Sequence, residues 1–148
     1  MANFSRILFI DESNTDLSVM AETIMTRLKA DREVEILSRG MVVLFPEPLN
    51  AKAEKVLQNH ALKALTKESH ELTAEDITDT TLILTMTEAE KGHILEAFSN
   101  ANFVYTLREF AGEEGDLPEP HGDEELYEKC FARVLELVTS VADILFKE

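Results

Sequence analysis

Residues 7–28 read ILFIDESNTDLSVMAETIMTRL, and this stretch decides the fold. Ile7, Leu8, Phe9 and Ile10 form an unbroken apolar run. A short run rich in Ile and Phe, closed by polar residues, predicts a buried strand of a parallel sheet. The polar segment Asp11, Glu12, Ser13, Asn14, Thr15, Asp16, Leu17, Ser18 follows, broken only by Leu17. Met20, Ile24 and Leu28 then recur every fourth residue, with Ala21 alongside, as one face of a helix does. Ser18 is the expected cap of that helix and Glu22 falls in its expected first turn. The unit is strand, eight-residue loop, helix. Such a unit points backbone N–H groups and the positive end of a helix dipole into the loop, which are the ingredients of an anion site.

The same alternation runs outward from this unit. Glu33 to Leu37 alternates acidic with Val34 and Ile36, a strand pattern that Ser38-Arg39-Gly40 is expected to end. Met41 to Phe45 is apolar but limited by Pro46 and Pro48. Asn50 is placed to cap a helix from Ala51 to about His60, and Leu65 is expected to anchor the following polar loop. Thr73 with Asp76 is a capping signature for a short segment. Thr81 to Met86 reads as a second buried strand, and Thr87 with Glu90 as the capping box of the next helix. Phe103-Val104-Tyr105 is a fourth strand. A last helix is expected from about Asp123 to Phe146, with Tyr127, Phe131, Val134, Leu135, Val138, Val141, Ala142 and Leu145 in its buried stripe. Strands alternating with helices indicate an α/β doubly wound fold with a parallel sheet. Ligands of such folds bind beyond the carboxyl ends of the strands, which is where Asp11 to Ser18 should lie.

Composition narrows the function classes. The chain has 148 residues, enough for one domain with a proper core. Twenty-nine acidic residues face 14 basic ones, for a net charge of −15. That balance argues against nucleic acid and anionic membrane as partners, because both require a cationic surface. A basic protein is the partner it allows. Cys130 is the only cysteine and cannot form an internal disulfide, which fits a reducing, cytoplasmic setting. No apolar run approaches a membrane span. His60, His70, His93 and His121 show no metal-ligand spacing. No cofactor and no metal are expected. Clustered carboxylates at Asp11, Glu12 and Asp16 leave Mg²⁺ or Ca²⁺ open as an alternative.

The chain resembles the low-molecular-weight protein tyrosine phosphatase family. That family carries a loop of the form Cys-x-Gly-Asn-x-Cys-Arg-Ser-Pro between the same strand and helix, often followed by Met-Ala-Glu. Asn14, Ser18, Met20, Ala21 and Glu22 match it. Thr81-Leu82-Ile83-Leu84-Thr85-Met86 and Thr106-Leu107-Arg108-Glu109-Phe110 match further segments. The resemblance spans residues 1–148 as one phosphatase-like domain. It implies a three-layer, four-stranded parallel sheet of order 2-1-3-4 with helices on both faces. The reactive positions depart from the motif. Asp11 stands at the nucleophilic cysteine, Ser13 at the glycine, Asp16 at the second cysteine, Leu17 at the phosphate-binding arginine and Val19 at the proline. Where the family has Asp-Pro-aromatic, with the aspartic acid protonating the leaving oxygen, this chain has Glu119-Pro120-His121.

Phosphoryl transfer in this family needs a low-pKa thiolate and an arginine holding the phosphoryl oxygens. No Lys or Arg occurs between Ile7 and Thr26. Like charges about 5 Å apart repel by roughly 3 kcal/mol at an effective dielectric near 20. Several such pairs outweigh the helix dipole, worth about 1 kcal/mol. The expectation is a catalytically inactive homologue, a pseudophosphatase with a degenerate loop, that binds or regulates another protein. The binding residues are Asp11 to Ser18 with His121. The alternative is an enzyme with residual phosphatase activity, or a metal-assisted phosphohydrolase that uses Asp11.

Overall fold

A computed structural model describes residues 3–147. Four parallel strands form the sheet: β1 (Arg6–Asp11), β2 (Glu35–Gly40), β3 (Thr81–Thr85) and β4 (Phe103–Thr106). Their order is β2-β1-β3-β4, as the resemblance implies. Ile7 pairs with Ile36 on one side and Leu82 on the other, and Leu82 pairs with Phe103. Ile7, Leu8, Phe9 and Ile10 are wholly buried because β1 is central and covered on both faces. Ile7, Phe9, Leu82 and Leu84 join a large core with helices α1 (Leu17–Lys29), α2 (Ala51–Asn59) and α5 (Glu124–Phe146). Leu8, Ile10, Ile83 and Val104 face the other way, toward Ile94 of α3 (Glu88–Ala97). The three layers follow from this alternation. A short α4 (Leu107–Phe110) is capped by Thr106 with Glu109.

Several expectations shift. β2 extends to Gly40 rather than ending before Ser38. Gly40 pairs with Asp11, and its N–H donates to the His70 carbonyl at 2.8 Å. A Cβ at Gly40 would lie 2.9 Å from the Ser13 carbonyl carbon, so glycine lets the strand end press against the loop backbone. Met41 to Phe45 is an irregular loop, as the resemblance implies, with Leu44 83% and Phe45 76% exposed. Leu65 is exposed, not an inward anchor. On α5, Leu137 is buried and Leu135 lies at the edge of the stripe, 39% exposed. The boxes Thr73–Asp76 and Thr87–Glu90 both form, the first on a single 3₁₀ turn at Ala74–Asp76. Among the described residues no helix is long and apolar enough to cross a membrane.

Candidate functional site

The first connection is tighter than eight residues, because α1 begins at Leu17 with Asp16 as its N-cap. Ser18 is therefore inside the helix, and Glu22 lies beyond the first turn. Asp16 makes no side-chain cap bond of its own. The cap comes from Asp11 instead, across the loop. Asp11 is fully buried; its Oδ1 accepts the Asn14 N–H at 2.6 Å and its Oδ2 accepts the Ser18 N–H at 2.9 Å. One carboxylate thus bridges the loop and satisfies an otherwise orphaned N–H of the helix start.

Asn14 holds the loop's shape. Its φ of 61° is left-handed, a conformation asparagine adopts more readily than most residues. Its Nδ2 donates to Ser18 Oγ at 2.9 Å and to Ser38 Oγ at 3.0 Å, and its Oδ1 accepts the His70 N–H at 3.0 Å. Behind it, Ser38 Oγ and Thr66 Oγ1 both donate to Glu22 Oε1, at 2.7 and 2.6 Å. A buried polar chain therefore ties loop, β2 and α1 together. Ser13 Oγ lies 2.8 Å from Thr15 Oγ1, which donates to Asp16 Oδ2 at 3.1 Å. The Thr15 carbonyl accepts the Asn50 N–H, joining the loop to α2.

The electrostatics run one way. Burial pushes the Asp11 carboxyl up to about 6, against lowering by its two N–H donors. Burial pushes Glu90 up to about 7; its Oε1 accepts the Met86 and Thr87 N–H groups, and Asp11 and Glu12 raise it further. Burial also raises Asp16, and raises Glu119, on which the Asp16 and Glu12 charges add to the effect. Burial and the Asp16 charge raise the Cys130 thiol, making it a poor thiolate. Burial and Asp16 push the Tyr127 phenol up to about 12. The Tyr127 hydroxyl faces the Asp16 carboxylate and steadies its anion, which lowers Asp16 against the effect of burial and raises Tyr127.

The structure brings Asp11, Glu12, Asp16 and Glu119 into one negative field. Leu17 is 1% exposed and belongs to the core, so the position of the motif's arginine carries a packing side chain. His121 is exposed and makes no hydrogen bond, ion pair or ring contact among the described residues; nothing there ties it to the loop. Its neighbour Gly122 is held, because Lys52 Nζ donates to the Gly122 carbonyl. Sequence reading named Glu22 and Ser38 but missed the chain they form with Thr66, a link made only by the folded sheet. It also missed Tyr127 as a neighbour of the loop; its place in the α5 stripe was the available signal. Among the described residues, no group of three His, Cys, Asp or Glu side chains has the geometry to hold a metal ion.

Comparison with known proteins matches this arrangement. The family described as low molecular weight phosphotyrosine protein phosphatase matches residues 6–148. The low molecular weight protein-tyrosine-phosphatase PtpB of Staphylococcus aureus is 30% identical over 141 residues, covering 95% of this chain and 99% of that protein. The solved YwlE arginine phosphatase from Geobacillus stearothermophilus superposes with a TM-score of 0.88 at 29% identity, covering 96% of this chain and 93% of that one. The low molecular weight protein tyrosine phosphatase from T. tengcongensis gives 0.87 at 28% identity, covering 95% and 99%. A family match across nearly the whole sequence, on the fold and loop described above, places the chain in the low molecular weight phosphotyrosine protein phosphatase family.

Proposed function

We propose that the protein is a catalytically inactive member of this family, a pseudophosphatase that works by binding another protein through the Asp11–Ser18 loop. The observation that carries this reading is the seat of Asp11. Its carboxylate stands at the motif's cysteine position and takes the Asn14 and Ser18 N–H groups for itself. Those are donors that an entering phosphoryl oxygen would use, and a negative charge already occupies them. Leu17 supplies no guanidinium, and the charges of Glu12, Asp16 and Glu119 repel a phosphate dianion. The relatives named above are phosphatases; the substitutions at positions 11 and 17 separate this chain from that chemistry. The partner is a protein with basic character, met in the cytoplasm.

A turnover assay tests the reading. Aryl phosphate, phosphotyrosine and phosphoarginine, each with and without Mg²⁺, should show no hydrolysis above that of Asp11→Ala. Turnover that disappears in Asp11→Ala would make the protein an enzyme and end the reading.

A further inference from the structure

We propose that the cleft between the C-terminal half of α2 and residues 62–67 is a binding site for a small organic carboxylate with an apolar body, an aryl- or alkyl-carboxylic acid. The cleft is separate from the Asp11–Ser18 loop, none of whose residues lines it, so the inference goes beyond the binding-protein reading.

The cavity is the first observation. Its volume is about 350 Å³, within the range of small-molecule clefts. Leu57, 1% exposed, and half-buried Leu49 and Leu62 supply its apolar lining and pack into the core. The walls are fixed by bonds of their own. Leu62 N–H donates to the Leu57 carbonyl at 2.8 Å, and Leu49 N–H to the Lys67 carbonyl at 3.4 Å. Thr66, also in the wall, donates its hydroxyl to Glu22 Oε1 at 2.6 Å. An apolar cleft with fixed walls and a few polar groups is the usual form of a small-molecule site.

Charge is the second observation. Lys63 and Lys67 both line the cleft. Neither ammonium makes an ion pair or hydrogen bond among the described residues, although acids outnumber bases 29 to 14 in the chain. Glu54 lines the cleft as well and pairs with neither. Two ammoniums against one carboxylate leave a single positive charge, which one carboxylate on a ligand balances. Lysine carries its charge on an apolar stem, so the stems extend the apolar wall while the heads meet the anion at the rim. The net charge of −15 repels an extended polyanion, whereas a small anion responds to the charges within about 10 Å of it.

The test is an NMR titration of the full chain with phenylpropionate, its neutral analogue phenylpropionamide, and acetate. Phenylpropionate should give saturable shifts centred on residues 48–49 and 54–67, and should bind about fivefold tighter than the amide. Acetate, which lacks the apolar body, should not saturate over the same range. Lys63→Gln with Lys67→Gln, both exposed positions, should remove the preference for acid over amide and leave the affinity for the amide unchanged. Equal affinity for acid and amide overturns the proposal. So does a preference that survives the double substitution, or acetate binding as tightly as phenylpropionate. Shifts centred on residues 11–18, or no saturable shift at millimolar concentration, overturn it too. None of these results bears on aryl phosphate turnover, so this proposal and the binding-protein reading fail separately.

Discussion

Asp11 joins local structure to pH. Its native carboxyl titrates near 6 against 3.8 for an exposed aspartate. The folded state therefore binds this proton more tightly than the unfolded chain does. The resulting stabilisation is fully present below pH 3.8 and is lost as pH rises through 6. The shift is worth about 3 kcal/mol at 1.36 kcal/mol per pH unit. Glu90, raised to about 7, acts in the same direction over an overlapping range. Urea unfolding should thus show lower stability at pH 7.5 than at pH 5, and Asp11→Asn should flatten much of that difference. A protein equally stable at both would contradict the burial of Asp11. Asn14→Gly makes a second prediction. It keeps the left-handed φ but deletes three hydrogen bonds, two to serine hydroxyls and one from the His70 N–H. A loss of roughly 2–3 kcal/mol is expected, with faster amide exchange in residues 12–18. The sequence made the polar loop legible but not the inward turn of Asp11. A carboxylate after a strand is equally at home in water, and only the two N–H groups presented by the folded loop draw it inside.

Elements were legible where periodicity was strong. β1, β3, α3 and α5 lie close to where their patterns put them. Those displaced were set by partners distant in the chain. β2 runs on to Gly40 because Asp11 and His70 supply ladder partners. α1 starts early because Asp11, not Ser18, caps it. On α5 the stripe has a sharp edge, and substitutions should report it. Phe131 is 2% exposed and stacks on His60, with ring centroids 4.4 Å apart. Phe131→Ala should cost about 3–5 kcal/mol, read as a lower denaturant midpoint. Leu135→Ala, four residues on, should cost much less, since that side chain is 39% exposed. Similar losses at both positions would mean that the helix is rotated from the orientation described.

At the scale of the whole molecule, charge dominates. Fifteen excess negative charges on 148 residues repel one another in the compact state. Raising NaCl from low concentration to 0.5 M should screen this and stabilise the protein by roughly 1–2 kcal/mol, visible as an increase in Tm of a few degrees. Unchanged melting would show that the ion pairs present, such as Arg6 with Glu35 at 2.7 Å, already balance the repulsion. Net charge and fold class are properties of composition and order, so both could be read before any coordinates. The meeting of loop and residue 119 could not, because it joins segments far apart in the chain. The Asn14 bonds carry one more consequence. They brace the loop against β2 and residue 70 from behind, while the Asp11 carboxylate holds it from within. A loop anchored on both sides is ordered in advance, so whatever meets it finds residues 12–18 already in place.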